Sequence, residues 1–352
     1  MTLCLLFGWQ AAMAQGSNKH HVAPYNPQLM KYRISHDVMS ADPNGPANMV
    51  DATTQSTNKT GALGTENIGR ASNLYSIIRT GQANQVVTAE QEDFIAFIHR
   101  QDIQKHGGVP TTTSNGLFRI DYSTDGGTSF TTDIGPLVPI AEHVNRGARA
   151  RYPQMALYRP STATSIDDYR IVFAGPTTGG NGWGNYVFGC VSNLSQVGEN
   201  GSDVASPNIK YDFLSNGQNR QVLIPNDLCM GEEGEFWMTD VEYDVANERL
   251  LDEVILWKGT LQGANMDSVA WVEHQRIDLS NVVSDCNNEW RHTNHNLAFS
   301  PDGQYGWLAF NGDWVENGTQ HYAFEPIFYK TEDGGDTWTG PIHMDLREYS
   351  QI

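Results

Sequence analysis

A few side chains in this 352-residue sequence stand at spacings that suit chemistry. Arg151 precedes Tyr152 and Pro153 at the start of an extended run, where a guanidinium fork could grip a carboxylate. Tyr322 and Glu325 set a phenol close to a carboxyl in the segment that leads into another extended run. His292 and His295 are three apart, an offset that puts them on opposite faces of a strand but lets a loop bring them to one ion. Hydrogen-bonded packing of that loop is the plainer role for the pair. Asp240, Glu242 and Asp244 alternate, so on one continuous strand the three carboxylates share a face. They would repel unless a cation or water lay between them, and hard oxygen ligands make calcium the candidate cofactor. A turn opening at Asp244 beside a solvated face explains the same residues without an ion. Trp183, set among Gly180-Asn181-Gly182 and Gly184-Asn185 on a predicted insertion loop, offers a ring to stack on a sugar face or to pin the loop.

The elements that must position these residues are short strands. From Leu74 onward, β-rich runs alternate with Gly, Asn, Asp and Pro turns, and no long helical period appears. The clearest unit spans 295–341. Asn296–Phe299, Gly306–Phe310 and Pro326–Lys330 read as three strands, with Ser300-Pro301-Asp302-Gly303 as a tight turn and a fourth strand from Trp338. The same template places strands at Leu74–Ile78, Phe94–Ile98 and Leu117–Tyr122. It places further units from Tyr152 and from Phe236.

Two turns repeat one pattern: Ser123-Thr124-Asp125-Gly126-Gly127-Thr128-Ser129-Phe130 and Thr331-Glu332-Asp333-Gly334-Gly335-Asp336-Thr337-Trp338. A hydroxyl and a carboxylate can accept hydrogen bonds from the turn's own N–H groups, the glycines tolerate positive φ, and the aromatic packs the turn down. This pattern resembles the Asp-box of sialidase-like (BNR-repeat) β-propellers. The resemblance implies an all-β propeller of four-stranded antiparallel blades, with four blades visible. Such rings have six blades, so an incomplete ring or a longer parent protein is expected, with a compact four-bladed ring as the alternative. It also implies that Ser123, Asp125, Gly127, Phe130, Thr331, Asp333, Gly335 and Trp338 are structural, at the blade periphery. Ligands would sit at one channel mouth, lined by the starts of inner strands.

Sialidases of this fold hold the substrate carboxylate with three arginines and use a Tyr nucleophile assisted by a Glu. Phe118-Arg119-Ile120 resembles their arginine motif, but Asp121 follows where Pro is usual and the segment runs into an Asp-box. Arg151 is better placed; nothing assigns the nucleophile pair, and Tyr322 and Glu325, near neighbours in the loop before a third strand, serve equally well as ordinary surface residues. The favoured reading is a binding propeller that takes glycan or protein ligands at one mouth; the alternative is an exo-sialidase-like glycoside hydrolase.

The totals set bounds on both. Asp and Glu outnumber Lys and Arg by 41 to 22, a formal charge of −19 that disfavours nucleic acid as a partner. No apolar run approaches the roughly 20 residues of a membrane-crossing helix. Residues 1–15 have the form of a signal peptide, with an apolar run at Leu3–Phe7 and a small-x-small site at Ala12-Met13-Ala14, so the chain is expected outside the cell or at its surface. An irregular segment follows over 16–70, and the propeller is expected over 71–352. Cys190, Cys229 and Cys286 would remain after cleavage, enough for one disulfide and one free thiol.

Overall fold

The computed structural model describes residues 84–344 apart from 90–92, 107–115, 138–149, 180–181, 199–208, 211–219, 245, 284–294 and 317–318, together with residues 68 and 71. All of them belong to the larger of two compact units, Ala47–Ile352.

The described fold is nearly all β. Sheet 1 runs β1 (Val86–Ala89), β2 (Phe94–Arg100), β3 (Phe118–Ser123) and β4 (Thr131–Ile134), with one helical turn, α1 (Ile103–His106), after β2. Sheet 2 comprises β5 (Gln154–Tyr158), β6 (Arg170–Gly179), β7 (Gly182–Val191) and β8 (Ile209–Lys210). After β9 (Arg220–Val222), sheet 3 begins with β10 (Asn226–Met230) and β11 (Glu235–Asp240). The chain then leaves it for β12 (Glu242–Asp244) and β13 (Arg249–Leu250), which pair with β9 in a small three-stranded sheet. It returns as β14 (Glu253–Gln262) and β15 (Ser268–Asp278). Sheet 4 is β16 (His295–Phe299), β17 (Gly306–Glu316), β18 (Thr319–Thr331) and β19 (Thr339–His343). All four larger sheets are antiparallel meanders.

The expected strand Leu74–Ile78 lies outside the described residues, among which sheet 1 opens with Val86–Ala89. One boundary differs from the sequence reading. Sheet 3 starts at Asn226, so Phe236 belongs to its second strand.

Period-two alternation fills the space between sheets, because the middle sheets are covered on both faces. Ile171 and Phe173 of β6 pack with Phe94, Ile98 and Phe118 of sheet 1, while Val172 and Ala174 between them join Phe236, Met238 and Trp257 of sheet 3. The same switch in sheet 3 sends Trp237 and Leu256 to the other side, against Leu297, Leu308 and Ile327 of sheet 4.

The two repeated turns have matching geometry. Asp125 accepts from the Thr128 and Ser129 N–H groups at 2.9 and 2.8 Å, and Gly127 N–H donates to Ser123 Oγ at 2.9 Å. In the second copy Thr337 N–H donates to Asp333 and Gly335 N–H to Thr331 Oγ1, both at 2.9 Å. The Ser129 and Thr337 hydroxyls, with those N–H groups, hold the Asp125 and Asp333 carboxyls down to about 2. Each turn also ties to the first hairpin of its own sheet: Gly126 N–H donates to Asp93 O and Gly334 N–H to Gln304 O, both at 2.9 Å. Gly335 has φ +97° and lies so close to the Trp237 ring that a Cβ there would sit 2.5 Å from it. The second turn is thereby pressed onto the neighbouring sheet, where Phe299 stacks on Trp237 and meets Trp338 edge-on.

The first strands of successive sheets lie side by side, β1 by β5, β5 by β10, and β10 by β16, and side chains join them. Gln154 is fully buried; its Nε2 donates to Pro225 O at 2.7 Å and its Oε1 accepts from Leu228 N–H at 2.8 Å. Replacing it by leucine strands a buried donor and a buried acceptor on the next sheet, each costing about 1–3 kcal/mol. Gln154→Leu should therefore lower stability in urea unfolding by about 2–6 kcal/mol; a change under about 0.5 kcal/mol, the usual range for a surface substitution, would contradict this role.

Candidate functional site

Polar side chains collect at the end of the sheets where the first strands begin. β5, β10 and β16 open on Gln154, Asn226 and His295, all buried. Asn226 Nδ2 lies 3.2 Å from His295 Nε2. An amide nitrogen can only donate, so this ring nitrogen accepts and the imidazole proton sits on Nδ1. Asp227 follows at a bulge in β10 with φ +50°, and its Oδ2 accepts from Leu297 N–H of the next first strand at 3.0 Å. Burial pushes the Asp227 carboxyl well above the usual carboxylate range, against the pull of that N–H.

Between β1, β5 and β10 an open cleft of about 280 Å³ lies along these strands, with Asn84, Val86, Thr88, Leu157, Cys229 and Met230 in its walls. Alternation turns Val86 and Thr88 outward while Val87 is buried behind them. Among the described residues the lining offers one amide, one hydroxyl, one thiol and apolar groups, with no carboxylate and no imidazole. Cys229 and Cys190 are free thiols. Burial, reinforced by the Asp227 charge, raises the Cys229 thiol, and burial takes Cys190 up to about 12, so neither is a thiolate nucleophile near neutral pH.

The residues singled out in the sequence are dispersed. Arg151 lies at the strand-start end, with its backbone N–H on Pro176 O at 2.9 Å and its Nη1 on Ala150 O at 2.9 Å. Arg100, buried at the end of β2, feels it: burial first, then the Arg151 charge, lowers its pKa well below that of a free guanidinium. Arg119 is buried with its guanidinium on Gln101 Oε1, Asp133 O and Gly135 O, a structural brace.

The three alternating carboxylates do not share a face, because the chain changes sheets after Asp240. The buried Asp240 carboxylate accepts from Tyr186 Oη, from Ile224 N–H at 3.1 Å and from Val241 N–H at 2.7 Å. Glu242 meets Arg276 at 2.7 Å, and that arginine also holds Glu253 and Glu273. Asp244 accepts from Ala246 and Asn247 N–H in its own turn. The calcium reading of this trio is thus corrected: each carboxylate has its own partners.

Tyr322 and Glu325 stand within β18 rather than in a loop before it. Glu325 is 2 % exposed and its Oε2 meets His343 Nε2 of β19 at 2.5 Å. Trp183 is likewise on a strand, β7, its backbone paired with Thr178, so a hairpin replaces the expected insertion loop. His292 and Cys286 lie outside the described residues, and His295 opens β16. The strand-start residues missed in the sequence do leave a signal, since Pro153-Gln154 and Pro225-Asn226 each set a proline before a polar strand opener.

No family model matches the chain, and no curated protein matches it. Among solved structures it is similar to an exo-β-1,3-galactanase from Phanerochaete chrysosporium solved with β-1,3-galactotriose, at 9% identity and a TM-score of 0.35. The match covers 76% of this chain and 51% of that one, so the chain spans about half the enzyme's length.

The shifted Asp227 carboxyl generates a pH prediction. An acid whose folded pKa lies above its unfolded value, about 3.9, loses stability as pH rises from that value towards the folded pKa. An asparagine side chain at this position would keep an acceptor for Leu297 N–H and tolerate the left-handed backbone. Asp227→Asn should therefore gain stability relative to the parent as pH rises above about 4, the gap levelling once the parent's carboxyl has ionised. Unfolding curves at several pH values that stay parallel would contradict it.

Proposed function

We propose that this chain is an exported β-propeller protein whose four larger sheets are blades, and that it binds a neutral glycan in the cleft where the first strands meet. The observation that carries this reading is the cleft itself: among the described residues its walls pair apolar faces with one amide, one hydroxyl and one thiol and hold no carboxylate. Sugars present C–H faces and hydroxyls, which such walls complement, and about 280 Å³ is near the lower end of small-ligand sites. Binding is favoured over glycoside hydrolysis because hydrolysis of this class needs paired carboxylates or a Tyr–Glu pair at the bond to be cut. Glu325 is instead buried against His343. A protein ligand at the same mouth is the competing occupant.

One observation supports a narrower variant. Arg151 stands at the strand-start end, where its charge acts on the buried Arg100, and a carboxylate-bearing sugar would offset that charge. The exo-sialidase alternative keeps Arg151 as the residue for the substrate carboxylate.

Titration of the purified full chain with neutral and sialylated oligosaccharides, followed by calorimetry, decides among these. Neutral glycans should bind, and Val86→Trp, which fills the cleft from an exposed wall position, should weaken binding by at least about tenfold, or about 1.4 kcal/mol, with unchanged folding. Binding of neutral sugars that Val86→Trp leaves intact would remove the cleft as the site. Binding of sialosides alone, lost in Arg151→Ala, would favour the narrower variant, and turnover of a fluorogenic sialoside lost with it would establish the hydrolase.

A further inference from the structure

Sheet 1 carries a cluster with no part in the cleft. His99 at the end of β2, Asp121 in β3 and Asp133 in β4 are buried, 0 %, 0 % and 3 % exposed. Each presents one ligand atom, and these atoms lie within 4.8 Å of one another; among the described residues no other group of three His, Cys, Asp or Glu does so.

The ring orientation is fixed from behind. His99 Nδ1 is 3.0 Å from Arg100 O and must donate to that carbonyl, and the ring stacks on Phe97. In neutral imidazole this leaves a lone pair on Nε2, which lies 3.2 Å from Asp121 Oδ2 without hydrogen-bond alignment. His99 Nε2, Asp121 Oδ2 and Asp133 Oδ1 are all buried without a hydrogen-bond partner. Two facing lone pairs need a cation between them, either a proton or a metal.

The remaining carboxylate atoms are positioned as the outer shell of a metal site would have them. Asp121 Oδ1 accepts from Asp133 N–H at 2.5 Å, and Arg119 Nη1 grips Asp133 O at 2.6 Å. Asp133 is thereby held at φ +64°, a left-handed backbone that aspartate adopts more readily than most residues. A ligating histidine with its second nitrogen on a backbone carbonyl, and ligating carboxylates themselves hydrogen-bonded, is the usual support of a metal centre. His106 Nε2, 3.3 Å from Asp133 Oδ2 and likewise without a hydrogen-bond partner, stands beside the trio as a second nitrogen and fourth donor. Lys105 reaches the same oxygen at 2.9 Å from a side chain 41 % exposed, which marks the solvent side.

We propose that His99, Asp121 and Asp133 bind one divalent first-row transition ion of the zinc class, with His106 as the adjacent fourth donor. One or two imidazoles with two carboxylates suit such an ion better than calcium, which prefers oxygen ligands alone. Two carboxylates balance a dication's charge, and the Lys105 ammonium that pairs with Asp133 stands on the solvent side of the site. With ligands from three strands of one sheet, the ion would clamp β2, β3 and β4 together.

The test is zinc titration of the chelator-stripped full chain against a fluorescent competitor, with cobalt as a spectroscopic substitute. One equivalent should bind, and His99→Gln and Asp121→Asn should each weaken it by about 100-fold or more while leaving the β-sheet circular dichroism intact. Should these variants fail to fold, the cobalt-loaded parent decides: a paramagnetically shifted, slowly exchanging imidazole N–H signal is expected from His99 Nδ1. Absence of that signal, absence of binding up to millimolar zinc, or binding unchanged in both variants would overturn the proposal and leave a proton-bridged His99–Asp121 pair.

Discussion

Each larger sheet begins with a strand that has a backbone partner on one side only, and the next sheet offers another such edge rather than a ladder. The groups along this line must still be satisfied where they are buried. Side chains do it: Gln154 spans sheets 2 and 3, and Asp227 and the Asn226–His295 contact span sheets 3 and 4. Sheets 1 and 2 are joined by Met155 N–H on Asn84 O at 2.7 Å. These bonds fix neighbouring first strands beside one another, and the outward residues Val86 and Thr88 of β1 wall the cleft.

Away from that line the fold is held by apolar stacking and by charge. Alternate residues of β6 and of β11 face opposite neighbours, so one strand serves two interfaces. At the outer edge Arg276 gathers Glu242, Glu253 and Glu273 and so ties the small sheet to sheet 3. The repeated turns close third strands onto first hairpins at the end opposite the strand starts. Asp227 shows a cost of this arrangement, since a buried carboxyl on a left-handed backbone is tolerated for the sake of one inter-sheet bond.

Turn chemistry made much of this legible. The two repeated Asp-Gly-Gly turns and the Ser300-Pro301-Asp302-Gly303 turn locate sheets 1 and 4, because local hydrogen bonds to Asp and positive φ at Gly depend on few neighbours. The first strands were harder to read. Val86–Ala89 is four residues long, and Asn226–Met230 carries two polar openers and no β-branched residue, so longer apolar runs nearby drew the boundaries away. The carboxylate trio at 240–244 failed because alternation holds only while a chain stays in one sheet. His99, Asp121 and Asp133 left no spacing signal at all, since three separate strands and a bulge after Ile120 bring them together. Trp183 looked like a loop residue because its glycine-rich flanks also suit a hairpin end.

The central claim is that buried side chains, rather than backbone ladders, hold the first strands of sheets 2, 3 and 4 together, and native-state hydrogen exchange of the Leu228 and Leu297 amides tests it most directly. Both donate to side-chain oxygens of another strand's start, Leu228 to Gln154 and Leu297 to Asp227. The account predicts that they exchange as slowly as ladder amides such as that of Trp237, through global opening. Exchange at the rate of exposed loop amides, with the rest of both sheets still protected, would contradict it.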